Sequence, residues 1–440
     1  MRERCFHIVG LGCPKNRVDS EIIWAQLAMA GWVAVDDPQQ ADLIVINTCA
    51  FIQAAVQESL DSIVDLGRLR SDPTARCSRL VVAGCLTARY GDDLAVELGE
   101  VDLFVGPAEV GAIAELVESG HTGVVYRAGA FLPDHRTPRA NSLGVGAAYL
   151  KAAEGCSRGC SFCLIPRLRG PQRSRPIEDL VIEAESLVRL GVAEIVLVAQ
   201  DLASWGRDLP GRPGLADLAA ALADVAGLWW LRLMYLFPSR VPERLIQLIA
   251  EHDNVLAYLD LPLQHIDPQV LGAMRRGGSA DGYRELVERV RSEIPGVVLR
   301  TTLMTGFPGE TEAAFEHLCD FVRQVRFERL GVFAFSAEEG TEAAGLTDAV
   351  PAEIAHERRA RLMDIQQPIA EAYHRSLIGS VQEVLVEGVQ PGGGLVGRAW
   401  MQAPEVDGQT WLQGQATIGE LVRARITDAD AYDLAAEVLA

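Results

Sequence analysis

Lysine is nearly absent from this sequence, and so is any long run of apolar residues. Of the 40 basic residues only Lys15 and Lys151 are lysine, a skew that we attribute to genome composition and not to mechanism. No apolar run approaches the roughly 20 residues that a membrane-spanning helix needs. The first residues, MRERCFHIVGLGC, contain no apolar segment followed by a small-residue cleavage site. These absences predict a cytoplasmic protein that has no membrane partner.

Net positive charge is absent as well. The chain has 40 basic and 60 acidic residues, a net charge of −20 at pH 7. A protein whose main task is to bind phosphates usually presents a basic face, so this balance disfavours a nucleic-acid partner and favours a cationic one. Because 49% of the 440 residues are hydrophobic, the chain is expected to fold into about two to four domains.

The first two regions of the chain differ in pattern. Residues 1–126 place apolar runs between helical segments, which predicts an open parallel α/β sheet. Three such runs are FHIVGLG (6–12), ADLIVIN (41–47) and RLVVAG (79–84). Residues 127–146 contain proline and glycine without apolar periodicity and are predicted to be a linker.

Residues 147–375 contain six more strand candidates separated by helical segments. They are AAYLKAAE, AEIVLVAQ, WWLRLMYL, LAYLDLPL, VVLRTTLMTG and RLGVFAFS. Six βα units predict a partial (β/α)6 barrel, short of the full eight and open on one side. Residues 378–440 have short, partly alternating segments divided by glycine and proline, which predicts a small antiparallel β-barrel.

The sequence EGCSRGCSFC places Cys156, Cys160 and Cys163 just after the first predicted barrel strand. Active sites of such barrels lie at the carboxyl ends of the strands. Nine cysteines in a reducing compartment favour metal or redox chemistry over disulfides. Three thiolates would bind three irons of a 4Fe-4S cluster and leave the fourth iron open to another ligand. A zinc site completed by a remote residue and a Cys160–Cys163 redox dithiol are the alternatives.

This spacing, with the aromatic Phe162 before the last cysteine, resembles the signature of the radical S-adenosylmethionine (AdoMet) superfamily. The resemblance implies that AdoMet occupies the open iron through its amino and carboxylate groups. It also implies that the reduced cluster cleaves AdoMet to a 5′-deoxyadenosyl radical, which abstracts hydrogen.

Cys13, Cys49 and Cys85 share one arrangement, since each follows a predicted strand and precedes a predicted helix. The carboxyl ends of parallel strands meet at one edge of a sheet, and helix N-termini there favour thiolates and anionic clusters. We therefore predict a second three-thiolate site. The alternative is that these cysteines are small core residues, an interpretation that suits the cysteines without this placement, Cys5, Cys77 and Cys319.

These features together resemble the methylthiotransferases over nearly the whole chain. The resemblance implies two 4Fe-4S clusters, of which the N-terminal one supplies or holds the inserted sulfur. One AdoMet would donate a methyl group and another would generate the radical, so that a methylthio group is placed on an unactivated carbon. The terminal barrel would be a TRAM domain that binds substrate. Spacing alone also allows zinc at the N-terminal site.

Two branches of this family differ in substrate. The RimO-type branch modifies the β-carbon of an aspartate in small-subunit ribosomal protein twelve, and the other branch modifies an adenosine in transfer RNA. Several stretches resemble the first branch: GLGCPKNRVDSE, NTCAFIQAAVQES, CSFCLIPRLRGPQRSR, LPLQH and FSAEEGT. From Ser380 to Ala440 there are nine acidic residues and three arginines, which suits a basic ribosomal protein better than RNA.

Other residues at predicted strand ends are candidates for the binding pocket. We expect four of them near AdoMet: Phe162, Gln200, Gly306 and Pro308. We expect Gln264 and His265 near the substrate. Turns and loop caps are the alternative for each of these positions. Four arginines beside the radical motif form a basic cluster that either steers an anion or is a solvated face, and they are the best local argument for RNA: Arg167, Arg169, Arg173 and Arg175.

Three hypotheses follow. The first is a radical AdoMet methylthiotransferase that acts on a ribosomal-protein aspartate and draws electrons from an external donor such as a flavodoxin. The second keeps this chemistry and changes the substrate to a transfer-RNA adenosine. The third is a non-catalytic iron–sulfur or zinc protein.

Overall fold

The N-terminal part of the chain is a parallel α/β sheet, as the sequence predicts. The computed structural model describes residues 2–390 and 392–439. The elements of this part are β1 (Cys5–Gly10), α1 (Pro14–Met29), β2 (Val33–Ala34), β3 (Leu43–Thr48), α2 (Gln53–Gly67), β4 (Arg79–Gly84), α3 (Cys85–Glu97), β5 (Leu103–Val105), α4 (Ile113–Glu118) and β6 (Gly123–Val125). All strands are parallel, in the order β2-β1-β3-β4-β5-β6. The three predicted strands β1, β3 and β4 are therefore neighbours, and their carboxyl ends lie side by side.

The central part confirms the predicted open barrel of six strands. Its elements are β7 (Ala147–Lys151), β8 (Ala153–Glu154), α5 (Ile165–Arg169), β9 (Arg173–Ser174), α6 (Ile177–Arg189), β10 (Glu194–Val198), α7 (Leu215–Ala223), β11 (Trp230–Leu233), α8 (Glu243–Glu251), β12 (Val255–Asp260), α9 (Pro268–Ala273), α10 (Ala280–Glu293), β13 (Val298–Thr305), α11 (Glu312–Val325), β14 (Arg329–Ala334) and α12 (Ala352–Ser376). Six parallel strands follow the order β14-β13-β12-β11-β10-β7, and β8 pairs only with β9. The edge strands β7 and β14 do not pair with each other, so the barrel is open between them.

Side chains alternate between the two faces of the barrel sheet, as the two-residue period of a strand requires. On β10, Ile195 and Leu197 belong to the core beneath the outer helices, whereas Val196 and Val198 belong to a core shared with the terminal domain. Glu194 is on this inner face with Val196. The bore of the barrel is therefore partly filled by another part of the chain.

The long helix α12 leads from the barrel to the terminal domain. It packs against the edge strand β14, where Arg359 Nε donates to the carbonyl oxygen of Val332 at 3.0 Å. Gln366 Nε2 donates to the carbonyl oxygen of Phe327 at 2.8 Å. Among the described residues, none of the helices combines the length and the apolar character that crossing a membrane would need.

The terminal part is a closed five-stranded barrel. Its strands are β15 (Val381–Val389), β16 (Leu395–Ala399), β17 (Thr410–Gln413), β18 (Leu421–Ala429) and β19 (Leu434–Val438), in the order β15-β16-β17-β19-β18. The apolar segments VQEVLVEGV, LVGRAWM, QTWLQGQA and ELVRARI predict the first four of these strands, whereas β19 is not predicted. It also predicts antiparallel pairing throughout, whereas β17 and β19 pair in parallel. This pairing closes the barrel, and closure leaves no free strand edge.

Buried charges attach the terminal barrel to the inner face of the central barrel. Glu194 Oε1 accepts from Arg232 Nε at 2.6 Å, and Glu194 Oε2 accepts from Arg398 Nη2 of the terminal barrel at 2.5 Å. The hydroxyl of Tyr258 donates to the buried carboxylate of Asp407. Because Glu194 and Arg232 are fully buried, each charge depends on its partners. The terminal barrel is therefore docked in a single position and is not a freely moving module.

The segment 127–146 contains no helix or strand but has specific contacts. Arg139 Nη1 lies 3.2 Å from Glu183 Oε1 of α6, and Arg139 Nη2 donates to the carbonyl oxygen of Tyr149 at 2.6 Å. His135 Nδ1 lies 2.6 Å from Asp179 Oδ1. These contacts hold the segment against the central barrel.

We expect the Arg398→Met substitution to destabilise the protein by about 3–5 kcal/mol, because it leaves the buried carboxylate of Glu194 with one partner fewer. Urea-induced unfolding of the full chain, followed by circular dichroism, measures this. Arg244→Met is the matched control, since the Arg244–Asp217 pair is exposed and such pairs contribute at most about 1 kcal/mol. Equal effects of the two substitutions would contradict the docking role of Arg398.

Candidate active site

The structure brings Cys13, Cys49 and Cys85 together at the carboxyl edge of the N-terminal sheet. Cys13 is the N-cap of α1, Cys49 follows β3, and Cys85 is the first residue of α3. Gly12 has a φ of +92°, and a Cβ atom there would lie 2.6 Å from Cys49 Cβ and 3.0 Å from Cys49 Sγ. Only glycine permits this approach of the Cys13 loop to Cys49.

The three thiols have different electrostatic surroundings. Burial would raise the pKa of Cys13, but the charges of Lys15 and Arg169 and the N–H groups of Asn16 and Lys15 lower it below the ordinary value. Burial and the neighbouring thiols raise the pKa of Cys49 to about 12. Burial also raises the pKa of Cys85, against the charge of Arg169. Cys13 is therefore the thiol of this group that ionises most readily.

A buried network of charges joins the N-terminal sheet to the central barrel. Arg169 Nη1 donates to Asp19 Oδ2 of α1 at 2.9 Å and to Glu154 Oε2 of β8 at 3.0 Å. Lys151 Nζ donates to Asp19 Oδ1 and, at 2.8 Å, to Glu154 Oε2. Arg169 Nε donates to Cys85 Sγ at 3.3 Å. Burial opposes ionisation of Glu154, but Lys151 and Arg169 lower its pKa to about 2.

We call the four residues Asp19, Lys151, Glu154 and Arg169 the buried ion cluster. It contains two acidic and two basic side chains, so the charges balance. Sequence analysis missed the role of these residues, since Asp19 and Lys151 are 132 positions apart. The rarity of lysine was the available signal, because both lysines of the chain are buried near the cysteines.

The second group of cysteines lies in the loop between β8 and α5, at the carboxyl end of the first barrel strand. The N–H of Cys156 donates to the carbonyl oxygen of Gly170 at 3.0 Å, and the N–H of Cys163 donates to the carbonyl oxygen of Cys160 at 3.1 Å. Arg276 Nη1 approaches Cys160 Sγ at 3.8 Å. Burial raises the pKa of Cys156 and, with the neighbouring thiols, that of Cys163 to about 12.

Polar atoms without a partner surround this second group. Gln200 Oε1, Asp201 Oδ1 and Arg276 Nε are buried and have no hydrogen-bond partner in the described part of the chain. Arg158 is close to two of these residues. Its Nε donates to Asp201 Oδ2 at 2.5 Å, and the guanidinium groups of Arg158 and Arg276 each lie over the ring of Phe237. A buried polar atom left unpaired costs about 1–3 kcal/mol. Three thiols beside such atoms fit an iron–sulfur cluster that carries a polar ligand.

The residues expected near AdoMet differ in their surroundings. Gln200 Nε2 donates to Glu154 Oε1, which links this pocket to the buried ion cluster. Phe162 packs edge-on against Phe307, with ring centroids 6.4 Å apart. Gly306 has a φ of +75°, and a Cβ atom there would lie 2.1 Å from Ala355 Cβ of α12. Packing against α12 therefore requires glycine at position 306, independently of any contact that Gly306 makes with a ligand. Pro308 is buried in the same loop.

The structure gives the two residues expected near the substrate different surroundings. His265 is fully buried. Its Nδ1 accepts from the N–H of Asp267 at 3.0 Å, and its Nε2 lies 3.3 Å from Glu310 Oε1. Both ring nitrogens are thus occupied within the protein, which favours a structural role. Gln264 is partly buried and bridges β12 to β13 through its backbone, with a φ of +69°.

The four arginines beside the radical motif do not form one basic face. Arg169 and Arg175 are buried in ion pairs, and only Arg167 and Arg173 are exposed. The expectation that all four form a single cluster, either solvated or steering an anion, is therefore wrong for Arg169 and Arg175. Buried carboxylates of α1, β8 and α6 neutralise Arg169 and Arg175.

The remaining cysteines, Cys5, Cys77 and Cys319, are buried. Within residues 2–390 and 392–439, no three histidine, cysteine, aspartate or glutamate side chains are placed to hold a single metal ion.

In metal-free protein we expect iodoacetamide to alkylate Cys13 at lower pH than Cys49. The thiolate is the nucleophile, and a lowered pKa populates it at lower pH. Both residues are partly exposed, so access does not decide the order. Alkylation at each cysteine across a pH series, read by mass spectrometry, measures this. Lys15→Met is expected to move the Cys13 midpoint upward, and alkylation of Cys49 before Cys13 would contradict the assignment.

Three family models match the chain in the order of its domains. Residues 5–106 match the model described as uncharacterized protein family UPF0004, residues 150–322 match the radical SAM superfamily, and residues 378–439 match the TRAM domain. Membership of the radical SAM superfamily implies a 4Fe-4S cluster and AdoMet.

The solved structures that resemble the chain share its fold. A radical S-adenosylmethionine methyltransferase, TsrM from Kitasatospora setae, has a TM-score of 0.54 at 16% identity, covering 76% of this chain and 72% of that one. The cobalamin-dependent radical enzyme OxsB has a TM-score of 0.51 at 12% identity, covering 82% and 56%. At these identities the likeness concerns the fold alone.

Three similar sequences carry the same name. The ribosomal protein uS12 methylthiotransferase RimO of Anaeromyxobacter sp. (strain K) is 49% identical and covers 98% of this chain and 92% of its own. That of Syntrophus aciditrophicus (strain SB) is 48% identical and covers 100% and 99%. That of Geobacter sulfurreducens is 46% identical and covers 98% of both. The resemblance seen in the sequence is thereby confirmed: the chain belongs to the RimO family of radical AdoMet methylthiotransferases.

Proposed function

We propose that this protein places a methylthio group on the β-carbon of an aspartate in ribosomal protein uS12. The observation that carries the proposal is the arrangement of two cysteine groups around one buried ion cluster. Arg169, which follows the radical cysteines, reaches Cys85 of the N-terminal group. Glu154, two residues before Cys156, shares both cations with Asp19 of α1.

Each cysteine group would hold one 4Fe-4S cluster. The radical-side cluster, bound by Cys156, Cys160 and Cys163, would carry AdoMet on its open iron. When bound, this pair supplies the one-electron chemistry that removes hydrogen from an unactivated carbon. The N-terminal group, Cys13, Cys49 and Cys85, would hold the second cluster and the sulfur.

The chain's own residues would orient these groups and exclude water. Gln200 and Asp201 each have a free oxygen at the radical side, suited to the ammonium or hydroxyl groups of AdoMet. Phe162 and Phe307 form an apolar wall. Gly306 and Pro308 would line the pocket through their backbone.

The net change replaces one C–H hydrogen of the aspartate by a methylthio group. One AdoMet would supply the methyl group, a second would be cleaved, and an external reductant such as a flavodoxin would supply electrons. We place this reaction in the cytoplasm, where ribosomal proteins are made.

The charge of the terminal barrel supports a basic substrate, though less than the raw count suggests. Asp407 and Glu387 are paired within the protein, and Glu405 bonds Arg17 and Tyr149. Exposed carboxylates remain at Glu383, Glu420, Asp428, Asp430 and Glu437. Exposed arginines are also present on β18, so the preference over transfer RNA rests mainly on the relatives.

We expect about eight iron and eight sulfide per chain after anaerobic reconstitution, because two 4Fe-4S clusters would be present. The triple variant Cys156→Ala, Cys160→Ala, Cys163→Ala should retain about half and lose AdoMet cleavage. The matched variant Cys13→Ala, Cys49→Ala, Cys85→Ala should also retain about half but keep AdoMet cleavage. Zinc in place of iron, or loss of all iron in either variant, would contradict the two-cluster proposal.

The substrate is tested with purified ribosomal protein uS12 and with transfer RNA, each incubated with reconstituted enzyme, AdoMet and a reductant. We expect mass spectrometry to locate one methylthio group on an aspartate of the protein and none on the RNA. A variant of uS12 with asparagine at that position should stay unmodified. Modification of an adenosine instead would favour the second hypothesis.

A further inference from the structure

Lys15 is a buried cation without an acidic partner. Its side chain is 6% exposed, and in residues 2–390 and 392–439 no oxygen atom accepts a hydrogen bond or ion pair from its ammonium group. The other lysine, Lys151, is fully buried and has two carboxylate partners. A buried charge without a hydrogen-bonded partner is costly. The neighbouring Cys13 thiolate offsets part of that cost, but the described residues leave the donors of the Lys15 ammonium group available to an anion that enters from outside.

The ammonium group of Lys15 is held in place by an aromatic ring. Lys15 Nζ lies 3.7 Å from the ring centroid of Tyr235, which is a favourable cation–π contact. Tyr235 follows β11, and its N–H donates to Asp260 Oδ2 at 3.0 Å. Its φ of +63° is unusual for a non-glycine residue. The ring thus forms a fixed platform at the carboxyl end of the barrel.

The platform places the cation between the two cysteine groups. Lys15 is two residues from Cys13 on the N-terminal side, and Tyr235 belongs to the barrel edge that also carries the radical loop. The nearby carboxylates of Asp19 and Glu154 are already paired with Lys151 and Arg169. A carboxylate that entered this gap would therefore find one cation free to bind it.

We propose that Lys15 binds the carboxylate of the target aspartate and so selects aspartate as the residue that is modified. This inference rests on the proposed function. The β-carbon of an aspartate is bonded directly to its carboxylate carbon, so holding the carboxylate fixes the reacting carbon in the same gap. A thiolate-rich site repels a carboxylate, and Lys15 offsets that repulsion.

AdoMet also has a carboxylate, but two arginines beside the radical cysteines are closer to the position where AdoMet would bind. Arg276 lies at Cys160, and Arg158 is joined to Asp201 beside them. Lys15 instead lies at Cys13, on the side that would hold the sulfur. The geometry therefore assigns Lys15 to the substrate.

The test compares the binding of uS12 with that of its variant in which asparagine replaces the target aspartate. Binding to the anaerobically reconstituted enzyme, measured by fluorescence anisotropy, gives an affinity ratio. We expect the wild-type enzyme to prefer the aspartate form by about 10- to 100-fold, as a charge-assisted hydrogen bond allows. Lys15→Met should abolish the preference by weakening only the aspartate form, and Lys15→Arg should restore part of it.

Arg4→Met is the matched control, because Arg4 also stacks on an aromatic ring, that of Trp32 at 4.6 Å, but on the exposed surface. It should leave the affinity ratio unchanged. Iron content and AdoMet affinity should be the same in Lys15→Met and in the wild type.

Three results would overturn the inference. One is an unchanged affinity ratio in Lys15→Met. The second is loss of half the iron, which would assign Lys15 to the cluster. The third is weakened AdoMet binding, which would assign it to the cofactor carboxylate. If the wild type adds no methylthio group to uS12, the proposed function itself fails. If it modifies uS12 yet binds both forms equally, only the Lys15 assignment fails.

Discussion

The buried ion cluster is the interaction on which the rest of the structure depends. Charges taken out of water are tolerated only with well-placed partners, and here two of the four ion pairs cross a domain boundary. Asp19 comes from the N-terminal sheet, whereas Lys151, Glu154 and Arg169 come from the central barrel. Separating the two domains would leave Asp19 without its cationic partners and would leave the central barrel with one uncompensated positive charge. The cluster therefore fixes the distance between the two cysteine groups, which lie directly beside it.

The same principle operates at the other end of the bore. An open barrel of six strands has an inner face that a full barrel would fill with its own side chains. Here Glu194 and Arg232 line that face, and Arg398 of the terminal barrel completes their charge balance. The terminal barrel thus closes the lower part of the bore, and only the carboxyl ends of the strands remain for chemistry. The openness that the sequence predicts is used for docking a domain as well as for a substrate.

The features that could be predicted from the sequence were those set by residues close together in the chain. The strand–cysteine–helix order around Cys13, Cys49 and Cys85 is visible in a few residues, because an apolar run and the loop after it are contiguous. The six barrel strands were predicted for the same reason. The ion cluster was not, because its contacts join residues more than 100 positions apart. His265 shows the converse: its place at a strand end suggested a pocket, while its buried partner Glu310 is 45 positions away and is invisible in the local pattern.

The rarity of lysine in this chain can be interpreted only once the structure shows where the two lysines lie. In a chain whose other basic residues are all arginine, both lysines occupy buried positions at the domain interface. A guanidinium presents a planar fork, whereas an ammonium is a compact charge with three donors. The ammonium group of Lys151 donates to two carboxylates at once. The ammonium group of Lys15 lies over the ring of Tyr235, in the gap between the two cysteine groups. The cysteine loops thus have cations of different kinds: Arg169 beside Cys85 is paired with two carboxylates, Arg276 lies beside Cys160, and Lys15 lies beside Cys13 without a carboxylate partner among the described residues.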